Sequence, residues 1–546
     1  MEQKFFARDP WFWAGFLVGG FFLGLTLWFG LGMDQSIYCY GAWVWRHYHL
    51  PPYVGIFEHN YPGIFLVHYL AMGLFGESTL GFRFFDFLVQ TSCLPMIFHL
   101  ARKLAGTGLA GFFAAVFYGI YYYSLGANGA GQRETFIFWL LLLCTVLALT
   151  MENRFWLRAF IIGLLLGGAF LLKPFYGLAW PVFGVLFLSQ GLKKRPVMVW
   201  LESSLFGLCC LAPALIFVLA YWRLGYINQL YLNTVWFNSE IYTQMTDPFA
   251  QRLVFATRIL PLVIFRDYPL LLLPAILAGV LQAWKGGLVR DKTLFALLGS
   301  MLFIGLFSYF LQGKYFPYQL AVFMGMACIF SGWASGLAWL ALSNLSRSRP
   351  AKTMLLISGL VWAGINITSL DSFGRFFAVH YCFRNFTRAY LAGYGTPRDS
   401  QLSANYYLAA QYLKPLIRPH DRIACFGPYP LVPFLLRQRL PTYFPCVHHL
   451  LLMRKDGKVL PQQKQWIQEF SSDIIQAGPR FIIVSDRFPG FQDKFFNFIN
   501  REVKVALEEQ FPELDHLIKN NYRPLKVIGH VLIYELSEPE SKTLKQ

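Results

Sequence analysis

Six ionisable residues stand out in this sequence because the apolar stretches beside them contain almost no charge. A carboxylate can act as a general base toward a hydroxyl group, and two carboxylates can hold a divalent metal ion with water and phosphate. Lysine and arginine bind phosphate through charge and forked hydrogen bonds. If the six side chains lie together, they suit a substrate with a phosphate head and a lipid tail. The set is Asp34, Glu58, Glu134, Arg133, Lys173 and Lys314.

Four of these residues also have a purely structural interpretation. Asp34 could cap a juxtamembrane helix, Glu58 could belong to a solvated turn, and Glu134 could stabilise a helix N-terminus. A lysine such as Lys173, between two apolar stretches, costs free energy to bury unless its ammonium group reaches the membrane interface or pairs with an anion. The functional interpretation therefore depends on whether the six residues converge.

The composition is that of a membrane protein. Of the 546 residues, 56% are hydrophobic and only 14% are charged, whereas soluble domains carry about 25% charged residues. The net charge of +18 is explained by lysine and arginine in cytoplasmic loops. No basic stripe is interleaved with polar side chains that could read bases, so nucleic acid is not expected as a partner.

The apolar stretches predict a polytopic α-helical membrane protein with about eleven transmembrane helices. Short basic joins alternate with longer aromatic ones, so the basic joins and the N-terminus are predicted to be cytoplasmic. The outer loops are then 32–82, which contains an interfacial helix at 64–75, and 223–267, which contains Glu240 and Asp247. The predicted spans are 11–31, 83–101, 107–125, 134–151, 155–172, 174–190, 198–222, 268–284, 293–311, 316–342 and 353–370.

In the C-terminal part, predicted helices alternate with short predicted strands instead of long apolar stretches. Residues 1–370 are predicted to form the transmembrane domain, and residues 371–546 an extracytoplasmic α/β domain, because an odd number of spans places the tail outside. Cys425 and Cys446 could form a disulfide there if the compartment is oxidising. The predicted elements are helices at 402–413 and 463–476 and strands at 422–427, 481–486 and 527–536.

These motifs resemble the GT-C superfamily of glycosyltransferases, in particular the family 39 or protein O-mannosyltransferase type, a group that includes the lipid A aminoarabinose transferases. The resemblance rests on the order of weak motifs along nearly the whole chain. An acidic motif follows the first span, a Pro-containing segment opens the interfacial helix, and Gln-x-Glu and lysine elements follow at later spans. The matching segments are Asp34-Gln-Ser-Ile-Tyr38, Glu58-His-Asn-Tyr-Pro-Gly-Ile-Phe65, Leu74-Phe-Gly-Glu-Ser78, Arg83, Gln132-Arg-Glu134, Lys173 and Lys314 to Tyr318.

The chain departs from the family pattern at two positions, with Gln35 at the second acidic position and His59 where a lysine is common. The resemblance implies that Asp34 is the base that deprotonates the acceptor hydroxyl in a direct, inverting transfer. The donor would be a sugar on a polyprenyl phosphate. The resemblance also implies roles for two further groups of residues. Lys173, Lys314 and Arg133 would bind the donor phosphate, and Glu58, Glu134 and His59 would assist the acceptor or a divalent metal (Mg, Mn or Zn), with Glu58 and Glu134 as metal ligands.

Other functions fit the same sequence. A lipid-linked glycan polymerase or ligase would use the same kind of donor, with a longer glycan. A transporter or flippase would show paired repeats and charges near the bilayer midplane, which the sequence lacks. A non-catalytic scaffold would leave the outer carboxylates far apart. The expected location is a bacterial inner membrane, and the acceptor could be a protein, a lipid or a glycan.

Overall fold

A computed structural model of the chain describes residues 8–194, 198–245, 248–264, 268–345, 353, 357, 400–452, 458–485 and 503–537. Within these ranges the N-terminal part is a bundle of helices, and the C-terminal part is a small sheet with helices. The principal helices of the first part are α1 (Pro10–Leu25), α2 (Met33–Tyr48), α3 (Gly63–Phe75), α4 (Thr79–Ala105), α5 (Gly108–Ser124), α6 (Arg133–Thr150), α7 (Phe155–Leu172), α8 (Ala179–Lys194), α9 (Met198–Arg223), α10 (Phe249–Leu262), α11 (Pro269–Lys285), α12 (Lys292–Gln312) and α13 (Ala321–Leu345).

Eight helices among the described residues are long and apolar enough to cross a membrane. Ten of the eleven predicted spans coincide with helices of the bundle. Two of those ten, α5 and α11, do not count among the eight, because α5 has 17 residues and the apolar part of α11 is shorter still. The predicted span at 353–370 and the domain boundary after residue 370 lie outside the described residues. The structure therefore confirms the predicted fold class and leaves the number of spans at eight or more.

Helix α5 forms the centre of the bundle. Its residues from Leu109 to Tyr123 are all buried, and it packs against α1, α4 and α13. A helix that is apolar all round is expected in such a position. Ser78 caps the N-terminus of helix α4, and its hydroxyl accepts a hydrogen bond from the Gly81 amide (3.0 Å). It ends at Gly106 in the left-handed conformation (φ 77°), as is common for a helix C-terminus.

The predicted outer loop 32–82 is folded, with α2 and α3 as its two helices. Helix α3 coincides with the predicted interfacial helix. Its first residue, Gly63, lies directly against the backbone of α7. A Cβ at this position would be only 2.7 Å from the carbonyl carbon of Leu171. Only glycine permits this approach. The contact holds the segment that contains Glu58 beside the C-terminal end of α7, where Lys173 follows.

The second predicted outer loop, 223–267, is also helical. A short helix, Ile227–Tyr231, continues into two π-helical turns, Leu232–Trp236 and Asn238–Tyr242. π-helical turns are rare in proteins overall, but where they occur they are often at functional sites. Helix α10 follows, and Asp247 lies outside the described residues.

The C-terminal domain contains a four-stranded sheet of order β1-β2-β4-β3. Strands β1 and β2 are parallel, and β2–β4 and β3–β4 are antiparallel. Both predicted helices and the first two predicted strands are present, whereas the predicted strand 527–536 is divided between the end of one strand, Tyr522–Ile528, and a second strand, Val531–Leu536. The additions are the strand Tyr522–Ile528, the two helices before it and a short helix after the first strand. The elements are α14 (Ser400–Leu413), β1 (Ile423–Phe426), α15 (Leu431–Leu436), α16 (Pro461–Ala477), β2 (Phe481–Ser485), α17 (Val503–Gln510), α18 (Pro512–Asn521), β3 (Tyr522–Ile528) and β4 (Val531–Leu536).

This domain packs on the loop 32–82. The amide of Leu440 donates to the hydroxyl of Tyr40 (2.8 Å), and the amide of Phe57 donates to the carbonyl of Tyr443 (2.8 Å). Cys425 and Cys446, which could have paired, are both free and buried. The two domains are therefore joined by packing and hydrogen bonds at the end of the bundle where the candidate residues lie.

Candidate active site

Asp34 lies in the first turn of α2, whose N-cap is Gly32. Its side chain therefore does not cap the helix. Its Oδ2 accepts hydrogen bonds from Nε2 of Gln132 (3.1 Å) and from the hydroxyl of Tyr318 (3.3 Å). No donor to Oδ1 is present among the described residues, so one oxygen of this carboxylate is available to take up a proton.

The turn before α6 positions Gln132. Its Nε2 also donates to the carbonyl of Asn128 (2.9 Å). The buried guanidinium of Arg83 donates to the carbonyls of Ala127 and Ala130 (both 2.8 Å), and Nε2 of Gln35 donates to the same two carbonyls (3.3 and 2.9 Å). Gln35, which replaces the second acidic residue of the family motif, therefore fixes the turn on which the partner of Asp34 stands.

Glu58 is buried in a tight turn. Its Oε1 accepts hydrogen bonds from the amides of His59 (2.9 Å) and Asn60 (3.1 Å) and from Nδ2 of Asn60 (2.7 Å). Its Oε2 is buried and has no partner among the described residues. The guanidinium of Arg133 donates to Oδ1 of Asn60, which links this turn to the start of α6.

The two lysines have different partners. Nζ of Lys173 contacts the carboxylate of Glu134 and the side-chain oxygen of Gln312. Lys314 lies against the face of the Tyr242 ring and has no carboxylate partner among the described residues. Both lysines are buried, with 6% and 7% of their surface exposed. Lys314 is therefore a buried amine that has no anionic partner in the described part of the chain.

Burial and neighbouring charges shift the pKa values in this cluster. Burial raises the pKa of Asp34, and Arg133 opposes that shift. Burial lowers the pKa of Lys173 to about 8, against the attraction of Glu134. Burial, with repulsion from Lys173, Arg133 and Arg252, lowers the pKa of Lys314 well below its ordinary value. Ionisable groups with perturbed pKa values cluster at functional sites, and structural ion pairs perturb them as well.

Histidines bring the C-terminal domain into the cluster. Nδ1 of His59 is 3.0 Å from Nε2 of His449 and 2.9 Å from Oε1 of Glu58. Sγ of Cys446 is 3.4 Å from Nδ1 of His449 on its other side. Two groups of possible metal ligands result among the described residues: Glu58, His59 and His449; and Cys446, His448 and His449. Glu134, predicted as a second metal ligand, is in neither group, because it contacts Lys173.

An apolar groove runs between α8 and α12 and ends near the two lysines. Its volume is about 520 Å³. From Ala296 to Phe307 it follows α12 for twelve residues, or about 16 Å. At one end are Leu178, five residues after Lys173, and Phe307, five residues before Gln312. The groove is lined by Leu178, Val182, Ala296, Gly299, Ser300, Phe303, Ile304 and Phe307.

The structure brings the seven predicted site residues to one end of the bundle. Several residues that contact these seven were not predicted from the sequence. Tyr318, Asn60 and Gln132 stand inside the quoted motifs, where they had no assigned role. His449 had a weak signal, the Cys-Val-His-His run that begins at Cys446. Tyr242 had no signal, because only the folding of 223–267 brings it to Lys314.

The whole chain is similar in structure to ArnT from Cupriavidus metallidurans bound to undecaprenyl phosphate, with a TM-score of 0.54 and 12% identity over 98% of this chain and 100% of that chain. For ArnT in the apo state the TM-score is 0.51, with 13% identity over 96% and 99%. The archaeal oligosaccharyltransferase AglB from Archaeoglobus fulgidus follows at a TM-score of 0.49, with 11% identity over 98% of this chain and 76% of that chain. No curated protein matches the chain.

In sequence, residues 59–217 match the family model of the dolichyl-phosphate-mannose-protein mannosyltransferases. The chain therefore has the fold of the GT-C glycosyltransferases, and the resemblance expected from the motifs is confirmed. The matched segment includes His59, Asn60, Arg83, Gln132, Arg133, Glu134 and Lys173.

Proposed function

We propose that the protein is a glycosyltransferase that moves a sugar from a polyprenyl phosphate to an acceptor hydroxyl at the outer face of the membrane. The observation that carries the proposal is a carboxylate, Asp34, in one cluster with three buried cations beside an apolar groove. ArnT, which shares the fold, has been crystallised with undecaprenyl phosphate. The polyprenyl chain would lie in the groove between α8 and α12, and its phosphate would lie among Lys173, Lys314 and Arg133.

The transfer is a direct, inverting displacement. Asp34 accepts the proton of the acceptor hydroxyl while the acceptor oxygen forms a bond to the anomeric carbon. The bond between that carbon and the phosphate oxygen breaks, and the polyprenyl phosphate leaves with the electron pair. The cations stabilise the charge that develops on the leaving phosphate. Lys314 suits this role because no carboxylate in the described structure neutralises it.

Glu134 orients the ammonium of Lys173, and Glu58 and His59 face the C-terminal domain on the acceptor side. The π-helical turns of the loop 223–267 lie over this side, where Nδ2 of Asn238 donates to the carbonyl of His59 (2.8 Å). The outer face is that of a bacterial inner membrane, with the N-terminus in the cytoplasm.

The experiment that tests this function uses the purified full chain in proteoliposomes. The donors are a polyprenyl-phosphate monosaccharide and a polyprenyl-linked oligosaccharide, each with protein, lipid and glycan acceptors. We expect transfer from the monosaccharide donor and none from Asp34→Asn, whereas Asp421→Asn, in the C-terminal domain, keeps full activity. Transfer of the oligosaccharide alone would favour a polymerase or ligase. Donor flux across the bilayer without any acceptor would favour a flippase.

A further inference from the structure

A buried carboxylate that the proposed mechanism does not use lies inside helix α4. Asp86 is seven residues after the first residue of this helix, about 10 Å along its axis, and its side chain is fully buried. Helix α4 is long and apolar enough to cross a membrane. A carboxylate inside such a helix is costly to bury, and residues of this kind mark functional sites. The hydrogen bonds of Asp86 indicate which function it serves.

Both oxygens of Asp86 accept a hydrogen bond from one hydroxyl group on helix α5. The hydroxyl of Tyr122 is 2.7 Å from Oδ1 and 2.7 Å from Oδ2. Oδ1 also accepts a hydrogen bond from Nε2 of Gln90 (3.1 Å), whose own Oε1 accepts one from the hydroxyl of Tyr118 (2.6 Å). Because a carboxylate can only accept, the hydroxyl proton of Tyr122 is directed at Asp86.

The direction of that proton determines what else Tyr122 can bind. A tyrosine hydroxyl has one proton to donate and can also accept a hydrogen bond. With its proton directed at Asp86, the hydroxyl of Tyr122 accepts a hydrogen bond from the amide of Gly131 (2.8 Å). Without Asp86 no carboxylate would hold the proton there, and a hydroxyl that turned its proton toward Gly131 would no longer accept from that amide. A buried amide needs an acceptor, so Asp86 stabilises the backbone at Gly131.

Gly131 belongs to the turn before α6, and the next residue is Gln132. The carbonyls of Ala127 and Ala130 in this turn have side-chain donors, and the tyrosine hydroxyl from α5 is the acceptor for the amide of the turn. Nε2 of Gln132 donates to Asp34 (3.1 Å), whereas its Oε1 is buried without a partner among the described residues. The position of the Gln132 side chain therefore depends on the backbone beneath it.

We propose that Asp86 is a positioning residue for the transfer, which acts through Tyr122 on the turn that carries Gln132. It orients the tyrosine hydroxyl, the hydroxyl holds the backbone amide of the turn, and the turn places Gln132 for its hydrogen bond to Asp34. Three hydrogen bonds separate Asp86 from Asp34, so Asp86 acts on the base only through other residues. The inference rests on the proposed transferase function.

The alternative is that Asp86 only ties α4 to α5. These two helices pack against each other, and the hydrogen bond from Tyr122 to Asp86 would be enough for that purpose. A purely structural tie predicts that its loss changes stability and leaves turnover unchanged. Tyr118 gives a matched comparison, because it lies one turn earlier on α5, is equally buried, and donates its hydroxyl proton on the side of the network away from Gly131.

The test is kcat and donor KM of the full chain in proteoliposomes, with a polyprenyl-phosphate monosaccharide as donor and the acceptor that the wild type uses. We expect Asp86→Leu and Tyr122→Phe each to lower kcat by about 10- to 100-fold, the factor that corresponds to a lost hydrogen bond to a charged group. Donor KM should change by less than about threefold, because Asp86 and Tyr122 contact none of the three phosphate-binding cations proposed above.

Two conservative variants should keep the activity. Asp86→Asn retains an oxygen that accepts from both Tyr122 and Gln90, so its kcat should stay within about threefold of the wild type. Tyr118→Phe should also stay within about threefold. An unchanged kcat in both Asp86→Leu and Tyr122→Phe, or an equal loss in Tyr118→Phe, would overturn the proposal.

The double variant shows whether the two residues act in one chain of contacts. Asp86→Leu combined with Tyr122→Phe should have the kcat of the more affected single variant, because either change alone already breaks the chain. Two losses that multiply in the double variant would show independent effects and would contradict an action of Asp86 through Tyr122.

The pH profile of kcat reports on Asp34 itself. The groups that face this carboxylate are the charged Arg133, Glu58 and Lys173 and the hydrogen-bond donors Gln132 and Tyr318. The hydrogen bond from Gln132 lowers the pKa of Asp34, so its loss raises that pKa. The acid fall of kcat should therefore move to higher pH in Asp86→Leu and Tyr122→Phe. A lowered kcat with the acid fall at the wild-type pH would contradict an action on Asp34.

Thermal unfolding of the purified variants shows which of them fold. If Asp86→Leu does not fold, Tyr122→Phe, which removes a single oxygen atom, decides the question by comparison with Tyr118→Phe. A wild type that transfers no sugar would refute the proposed function and this inference with it. Transfer that Asp34→Asn abolishes, but that Asp86→Leu and Tyr122→Phe leave unchanged, would refute this inference alone.

Discussion

Replacing either buried lysine with methionine should weaken donor binding, yet the two substitutions should change stability in opposite directions. Lys314 has no carboxylate partner among the described residues, and Lys173, Arg133 and Arg252 repel it. Lys173 is paired with Glu134, which is fully buried. The contrast follows from the charge balance around each ammonium group.

Lys314→Met removes a buried cation that the folded protein must desolvate without a carboxylate partner. Replacing buried charges with apolar side chains of similar volume can stabilise a protein by 1–4 kcal/mol. The loss of the contact with Tyr242 offsets about 1 kcal/mol of this. We expect a net gain of about 1 kcal/mol in the absence of donor. The lysine has a lowered pKa when folded, so the gain is largest below that pKa and disappears as the pH approaches its ordinary value.

Lys173→Met leaves the buried carboxylate of Glu134 without its ammonium partner. Breaking a buried ion pair typically destabilises by 3–5 kcal/mol, and the nearby Arg133 places the expected loss near the lower end, about 3 kcal/mol. Adding Glu134→Gln should restore most of the stability, because the unpaired charge is then removed.

The assays are thermal unfolding of the detergent-solubilised chain and donor KM in the transfer reaction. A hydrogen bond to a charged group contributes about 1.5–3 kcal/mol, so each methionine variant should raise donor KM by about 10- to 100-fold. Lys314→Arg, which keeps the charge, is the matched control. A lower thermal midpoint for Lys314→Met than for wild type, or an unchanged donor KM, would refute the reasoning.

Three further predictions use other parts of the chain. The transfer rate should fall at acid pH through the raised pKa of Asp34, whose ionised form is needed, and at alkaline pH near 8 as Lys173 loses its proton. Lys173→Arg should abolish the alkaline fall. An acid fall at or below the ordinary pKa of aspartate, 3.8, would contradict the first assignment, and a rate that stays constant from pH 7 to 9 would contradict the second. Gly299→Leu, at a glycine with open space around it, should fill the groove and raise KM for a long-chain donor while leaving a short-chain donor unaffected; equal effects on both donors would rule out the groove. Arg158→Ala should destabilise by about 3–5 kcal/mol because Glu202 is buried with it (2.7 Å), and Arg158→Met with Glu202→Leu should recover stability if the pair is only structural.

The helical part of the fold could be predicted from the sequence because lipid demands long apolar stretches. Most predicted spans therefore coincide with helices. Helix α5 is the informative case, since its apolar residues face protein, and composition alone does not distinguish burial in protein from exposure to lipid. Strand β3 was missed because Arg523 and Lys526 interrupt the apolar pattern and Pro524 disfavours a central strand, as suits its position at the sheet edge.

The candidate site was predictable only in part. Asp34, Lys173 and Lys314 were visible as charges beside apolar stretches, but a charge in a sequence does not specify its partner. That Glu134 pairs with Lys173 rather than sharing a metal ion with Glu58 depends on how α6 and α7 pack. The approach of His449 to His59 depends on the docking of a whole domain, which no local pattern encodes.

The role of Asp34 as the base is tested most directly by single-turnover transfer with Asp34→Asn at saturating donor. Asparagine keeps the shape and can still accept the hydrogen bonds of Gln132 and Tyr318, but it cannot take up the acceptor's proton. We predict that turnover falls by about 1,000-fold or more, within the range of general-base catalysis combined with lost charge, while donor affinity changes by less than about threefold. Turnover within about tenfold of wild type would contradict Asp34 as the base.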